Sequence, residues 1–366
     1  MKILLVAGAR PNFMKIAPLY RAFQRHPKLE TRIVHTGQHY SSQMSDIFFS
    51  QLEIPPPNHQ LGIHGGSHAQ QTALTMLAFE EVVDAERPDC VVVVGDVNST
   101  LACALVAAKR NIPLAHVEAG LRSGDRTMPE EINRMLTDTL SDFLFVTESA
   151  GLDNLAREGL LDRNVHLVGN CMIDTLVHFR EKAGRINTLA QLGLEPKSYL
   201  LMTLHRPSNV DTLAGLEKML EIMEGAAQRK TLVFSLHPRT RRHLEQFGLQ
   251  ARLAAIPNLF LLEQQGYLEF INLLENAAAV ITDSGGVQDE TTFLRVPCLT
   301  FRATTERPST VELGTNILLA DLNPRTALHQ LDEVLAGRIK PGVIPPFWDG
   351  HAAERIAVVL AGGGGC

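Results

Sequence analysis

An alternation constrains this chain more than any other feature. Short runs rich in Val, Ile and Leu end on a glycine or a polar turn, and a helical pattern follows each. In the first half the runs are KILLVAGA, TRIVHTG, CVVVVGD, PLAHVEAG, DFLFVTE and VHLVGN, with helical stretches at Lys15–Arg25, Ser67–Glu86 and Thr100–Arg110. The second half repeats the scheme with YLLMTLH, TLVFSLHP, LFLLEQ, AAVITDSGG, PCLTFRA and TNILLA. Strands this apolar must be covered on both faces, so the pattern predicts parallel sheets flanked by helices. At 366 residues the chain exceeds what one core usually serves. The expected fold class is α/β, with two doubly wound domains and a cleft between them. The break falls within Gly169–Arg185, giving residues 1–170 and 171–350, with a C-terminal helix at 351–366 rejoining the first domain. Ligands of such sheets sit at the carboxyl ends of the strands.

Composition narrows the functions. A net charge of −6 does not suit a nucleic-acid binder. Aromatics are 5% with a single Trp, which argues against a sugar platform of stacked indoles. No apolar run approaches the roughly 20 residues of a membrane span, and MKILLVAGARP runs straight into a fold motif instead of a signal peptide. Cys90, Cys103, Cys171, Cys298 and Cys366 are odd in number and form no CxxC pair. They read as small buried hydrophobes in a reducing compartment, which places the protein in the cytoplasm. His64 and His68 in HGGSH lack a nearby Asp, Glu or Cys to complete a metal set, so no metal is proposed. The tail AGGGGC is low in complexity and is assigned nothing.

Polar residues gather where the geometry expects ligands. Asp283-Ser284-Gly285-Gly286 follows a strand and opens a helix. Ser284 fits an N-cap, the glycines admit a ligand to the backbone, and helix-start N–H groups attract phosphate. Glu290, further into that helix, can accept from two ribose hydroxyls. A plain capped turn is the competing reading. The first loop, GARPNFMKIAPL, has one glycine where a dinucleotide fold wants three, which sets NAD aside. Arg10 and Lys15 stand there instead, a fork and a point charge for phosphate or else a solvated pair. Arg302 and Arg307 add cations after another strand.

The other group is acidic. Asp96 ends one strand and Glu118 another, and Glu130 begins a helix after HVEAGLRSGDRTMP. Clustered carboxylates at strand ends push one another's pKa values apart, as proton removal and delivery on a carbon require. Asp96 also suits a cap for the helix after it, and Glu130 or Glu131 suits a helix dipole behind Pro129. Glu118 has no helix start beside it to explain it, whereas Glu131 reads as part of its helix. Arg122, Asp125 and Arg126 read as holding the loop in shape. His205 at the end of YLLMTLH either donates to a bridging phosphate oxygen or is a satisfied core histidine. Gln38, His39 and His237 stand at strand ends as ligand contacts or as turn and structural residues.

The stretches GARPNFMKIAPL, HTGQHY, GDVNST, HVEAGLRSGDRTMPEEINR, TLHRPSNVD, TDSGGVQDE and ATTERPSTVELGTN span Gly8 to Asn316. In that order they resemble the non-hydrolysing UDP-N-acetylglucosamine 2-epimerases. The resemblance implies two Rossmann-like domains of the glycosyltransferase-B type, the first on the sugar side and the second binding UDP. It implies interconversion of UDP-N-acetylglucosamine and UDP-N-acetylmannosamine by anti elimination of UDP to 2-acetamidoglucal and re-addition, without NAD or metal, in a homodimer. By the family motif Asp96, Glu118 and Glu130 are the catalytic carboxylates, and His205 lies beside the leaving diphosphate. Arg10, Lys15, Ser284, Gly285, Glu290 and Arg307 map to UDP contacts; Gln38, His39, Arg206, His237, Gly286 and Arg302 join them by position.

The chain departs from the family in reading HRPSNVD where the best-known bacterial members have an HRRE-like form, and in a shorter segment before Pro129. Some members are activated by substrate through a glutamine and an arginine; Gln70-Gln71 puts a glutamine in place of that arginine, against such activation. QLEIPPPNHQLGIHGGSHAQQ resembles sister enzymes acting on UDP-2,3-diacetamido-2,3-dideoxy-glucuronate, whereas ATTERPSTVE resembles the N-acetylglucosamine enzymes. The diacetamido-uronate enzyme is thus the first alternative, followed by a hydrolysing epimerase, a UDP-sugar glycosyltransferase and a UDP-sugar-binding regulator.

Overall fold

The computed structural model describes residues 1–37 and 49–362, apart from the side chain of Arg10. Gln38, His39 and Cys366 lie outside the described residues. The chain forms two compact units, Met1–His178 with Pro346–Cys366, and Phe179–Pro345. The division falls inside the helix Cys171–Gly184.

In the first unit the strands are β1 (Lys2–Ala7), β2 (Glu30–His35), β3 (His59–Gln60), β4 (Cys90–Val94), β5 (Leu114–Ala119), β6 (Phe143–Val146) and β7 (Asn164–Leu167). They form one parallel sheet in the order β3-β2-β1-β4-β5-β6-β7. The two-residue β3 carries no apolar run, so the sequence pattern misses it. The second unit has β8 (Tyr199–Thr203), β9 (Thr231–Ser235), β10 (Leu259–Leu262), β11 (Ala279–Thr282), β12 (Cys298–Phe301) and β13 (Asn316–Leu319). Their order is β10-β9-β8-β11-β12-β13, again parallel. Both orders are those of the doubly wound Rossmann sheet, as the strand–helix alternation predicts.

Each sheet reverses its winding once, between β1 and β4 in the first and between β8 and β11 in the second. Loops leaving the two strands at such a point turn to opposite faces and leave a crevice. The sequence puts Gly8-Ala9-Arg10 and Gly95-Asp96 at the first crevice, and His205-Arg206 and Asp283-Ser284 at the second. The strands meet the crevices as rigid supports because their residues are buried on both sides. Leu4, Val6, Val91 and Val93 anchor one core, and Leu200, Met202, Phe234 and Ile281 the other. Burying each such side chain is worth about 1.5–3 kcal/mol.

The helix Arg10–Gln24 starts five residues before the Lys15 that the sequence pattern suggests. Pro11 in its first turn lacks only an N–H that would have no intrahelical acceptor. The helix Ala352–Ala361 returns to the first unit, where Asp174 accepts from the N–H groups of Ala352 (3.1 Å) and Ala353 (2.7 Å). Burial pushes the Asp174 carboxyl up to about 6 against those bonds. Trp348 nearby is buried, its indole donating to the carbonyl of Thr147 at 3.0 Å. Gly169 (φ +92°) passes so close that a Cβ would lie 2.0 Å from the carbonyl oxygen of Phe347, so only glycine fits. Among the described residues no helix is long and apolar enough to cross a membrane, and no group of three or more His, Cys, Asp or Glu is placed to hold a metal ion. Cys90, Cys103, Cys171 and Cys298 are buried free thiols.

Candidate active site

At the first crevice the backbone itself is unusual. Glu118, in β5, has φ +77°, and the pairing of β5 with β6 shifts register between Val117 and Ala119. A non-glycine residue in this conformation carries strain of order 1 kcal/mol or more and persists only where its surroundings hold it. The hold is an ion pair with Lys15, both side chains being almost fully buried. A Cβ added to Gly95 (φ +69°) would lie 2.8 Å from the Lys15 ammonium and 3.4 Å from a Glu118 oxygen, so the turn after β4 abuts this pair. Lys15, which the first loop suggests as a phosphate contact, thus has a carboxylate, Glu118, as its ion-pair partner. Asn12 fixes that loop, accepting from the N–H of Gly8 (3.1 Å) and Ala9 (2.8 Å) and donating to the Val94 carbonyl (3.1 Å).

Asp96 follows Gly95, but it caps nothing. The helix Asn98–Lys109 has Val97 at its N-cap, and the Asp96 carboxylate instead binds Arg134 at 2.6 Å. Arg134 also reaches Glu131 (2.9 Å). Glu131 does more than start its helix Pro129–Leu140: it accepts from the N–H groups of Ser123 and Gly124, each at 2.9 Å. Burial would raise its carboxyl, but these N–H groups and Arg134 outweigh that and lower it. Glu130, one residue earlier, is half-buried with no hydrogen-bond or ion-pair partner among the described residues.

Beneath this layer lies a second one. His116 is fully buried and spans Asp138 (Nδ1, 2.6 Å) and the Gly95 carbonyl (Nε2, 2.8 Å). Asp138 also accepts from the Gly120 N–H (3.0 Å) and pairs with Arg122 (2.7 Å), which in turn grips Glu158. Burial favours a neutral Asp138, but His116 and Arg122 prevail and hold its carboxyl low. Thus Arg122 does shape the loop, as does Asp125, which accepts from the N–H and hydroxyl of Thr127.

At the second crevice Asp283 is the centre. It is fully buried and accepts from the N–H of His205 (3.0 Å), the N–H of Arg206 (2.8 Å) and the Asn209 amide (3.0 Å), with His205 Nδ1 3.1 Å away. These outweigh burial and keep the Asp283 carboxyl below its usual range. The Arg206 side chain donates to the Asp283 carbonyl at 3.0 Å. His237 caps the helix Pro238–Gln246, its Nδ1 accepting from the Arg239 N–H (3.1 Å), while its ring lies 5.1 Å from that of His205. Its structural reading thus has a concrete form.

Ser284 is the N-cap residue of the helix Gly285–Leu294, but its hydroxyl does not cap it, so the first-turn N–H groups of Gly285 and Gly286 lack that acceptor. Arg307 lies beside this helix start: a Cβ on Gly285 would be 3.1 Å from its guanidinium. Arg307 is also bound by Asp289 (2.8 Å) and Glu306 (2.5 Å). Arg302 is buried on Glu306 at 2.5 Å, which compensates its charge. Glu290 is buried within the helix, and desolvation, with the charge of Asp289, pushes its carboxyl up to about 8.

Sequence reading missed Arg134, Asp138 and Asp283 as partners of the site. Asp283 had a signal, since it precedes the glycines at a strand end; Arg134 and Asp138 lie one helical turn apart inside a helix and had none.

Two parallel sheets in Rossmann order, each with its charged groups at the winding reversal, define a two-unit α/β enzyme with a glycosyltransferase-B-like fold. A family model described as UDP-N-acetylglucosamine 2-epimerase matches residues 21–361. The UDP-N-acetylglucosamine 2-epimerase of Methanocaldococcus jannaschii is 42% identical, over 99% of this chain and all of its own. A crystal structure of the enzyme from that organism, in complex with UDP-GlcNAc and UDP, matches with a TM-score of 0.90 over 99% of this chain and 100% of its own, at 41% identity. The UDP-2,3-diacetamido-2,3-dideoxy-D-glucuronate 2-epimerase of Pseudomonas aeruginosa is 41% identical, over 99% of both chains. The chain belongs to the UDP-N-acetylglucosamine 2-epimerase family and is a carbohydrate isomerase.

Proposed function

We propose that the chain interconverts UDP-N-acetylglucosamine and UDP-N-acetylmannosamine. The observation that carries this is the first crevice, where Glu118 is held in a strained conformation by Lys15, against the turn that bears Asp96. The C2 proton of a pyranose is not acidic, so UDP must begin to leave first. The C1–O bond breaks with its electron pair going to the diphosphate oxygen, and carboxylates stabilise the positive charge at C1. A carboxylate then takes the C2 proton, and the C2–H pair becomes the double bond of 2-acetamidoglucal. Re-addition of UDP at C1, with a proton delivered to the other face of C2, completes the epimerisation. The chemistry is redox-neutral overall and calls for neither NAD nor a metal.

The structure supports a division of labour among the carboxylates. Glu118 and Asp96 are oriented by cations and suit stabilisation of charge at C1. Glu130, without a partner among the described residues, has the freedom to exchange a proton. On the nucleotide side, the start of the helix Gly285–Leu294 and Arg307 suit the diphosphate, Glu290 the ribose, and His205 the oxygen that leaves. A second reading keeps this chemistry on UDP-2,3-diacetamido-2,3-dideoxy-glucuronate, supported by the likeness to the Pseudomonas aeruginosa relative. The buried free thiols support a reducing compartment, the cytoplasm. Exposed Leu74 and Leu77 on the helix His68–Glu86, with Ile132 and Leu136 on Pro129–Leu140, support a homodimer through the first unit.

The test is turnover of UDP-N-acetylglucosamine in deuterated water, followed by NMR. Deuterium at C2 with a UDP-linked manno product is expected, and Glu118→Gln is to abolish exchange while UDP still binds. Free N-acetylmannosamine would instead show hydrolysis, and turnover of the diacetamido uronate alone would overturn the substrate.

A further inference from the structure

We propose that Asp283 is a positioning residue that fixes which nitrogen of His205 faces the leaving group: it accepts a hydrogen bond from Nδ1–H and leaves Nε2 to act. The inference rests on the reading of His205 as the residue beside the departing diphosphate. The geometry leaves Asp283 little alternative. Its Oδ2 receives the N–H of His205 (3.0 Å), the N–H of Arg206 (2.8 Å) and the Asn209 amide (3.0 Å). Its Oδ1 faces His205 Nδ1 at 3.1 Å and shares the His205 N–H at the same distance. A carboxylate can only accept, so the atom it faces on the ring must carry hydrogen. The Asp283 side chain is wholly buried, while that of His205 is 36% exposed, so the ring is gripped on one side and open on the other.

The consequence is chemical. With Nδ1–H held by Asp283, a neutral His205 presents a bare lone pair at Nε2 and cannot donate there. Donation needs the imidazolium. As the C1–O bond breaks, its electron pair passes to the diphosphate oxygen, which takes the Nε2 proton or a hydrogen bond from it. The neutral Nδ1–H ring that remains is the form able to take the proton back when UDP re-adds. The same ring thereby serves both directions of a reversible reaction. The other ionisable groups facing it are Arg206, which donates to the Asp283 carbonyl (3.0 Å), and the His237 ring at 5.1 Å.

Asp283→Asn tests this sharply, because three donors crowd Oδ2. The amide oxygen must sit there, which places the amide nitrogen opposite His205 Nδ1. The nitrogen donates, so Nδ1 becomes the acceptor and the neutral ring carries its hydrogen on Nε2. Two readouts follow. In nitrogen-15 NMR of the whole protein, the neutral ring of wild-type His205 is expected as the Nδ1–H tautomer and that of Asp283→Asn as Nε2–H. The second readout is kcat for C2 exchange. The variant should be at least tenfold slower than wild type, with its KM changed far less than kcat. Wild-type His205 found as Nε2–H overturns the proposal with no variant needed. So does an Asp283→Asn kcat that matches wild type while His205→Gln is slow. If His205→Gln itself turns over normally, the reading of His205 fails instead.

Discussion

The Lys15–Glu118 pair makes a quantitative prediction. Its side chains are 7% and 6% exposed, so neither charge is solvated. Lys15→Met removes the cation and strands Glu118 in place. Breaking a buried pair from one side costs about 3–5 kcal/mol, most of it the desolvation of the charge left behind. Removing that charge too, in Lys15→Met/Glu118→Gln, should recover at least about 2 kcal/mol, because the loss is a coupling between the two sites. The chain offers a local probe. Trp348 is its single tryptophan, is buried, and lies in the first unit with the pair. Its fluorescence during urea unfolding reports that unit alone. At a slope of about 2 kcal/mol/M, Lys15→Met should lower the midpoint by about 1.5–2.5 M and the double variant by clearly less. If Lys15→Met costs under about 1 kcal/mol, or if Glu118→Gln adds its own loss on top, the pair does not hold the strained strand end and the argument is refuted.

Glu290 supplies a pH test. Its folded-state pKa is raised from 4.5 to about 8, so the folded chain holds the proton more tightly than the unfolded one. Its stabilising contribution is full below 4.5 and is lost as pH rises through about 8. Glu290→Gln should gain stability over wild type across that window, on the order of a few kcal/mol at its upper end, and scanning calorimetry showing a constant difference would refute it. Leu77, 65% exposed, tests the homodimer: Leu77→Glu should convert a dimer to monomer in light scattering, and a wild-type monomer would refute the proposal.

Much of this was legible in the sequence because apolar runs dictate where strands lie, and strand order then brings certain loops together. Glu118 could be singled out since no helix start explained a carboxylate there. Its left-handed backbone could not, because nothing in HVEAG distinguishes a regular strand end from a bulged one. Lys15 looked like a phosphate ligand from its place after the first loop; only the neighbouring strands reveal that its nearest anionic partner is Glu118. A cap was the competing reading for the carboxylate Asp96 because capping is local, whereas its partner Arg134 is 38 residues away. Glu131 seemed the plain helix residue beside Glu130, yet its carboxylate ties down the loop before it, a role fixed by how the loop folds back. Local grammar was readable; the choice among distant charged partners was not.

The return of the last helix to the first unit bears on how the protein is made. Phe179–Pro345 is one uninterrupted stretch and can close its own sheet as it leaves the ribosome. The first unit, begun earlier, must wait for it. Until the segment from Pro346 emerges, Asp174 lacks the N–H groups of Ala352 and Ala353, and Thr147 lacks the indole of Trp348. The half that is synthesised first is therefore the half that finishes last, and a chain cut short by its final twenty or so residues loses the first unit before the second.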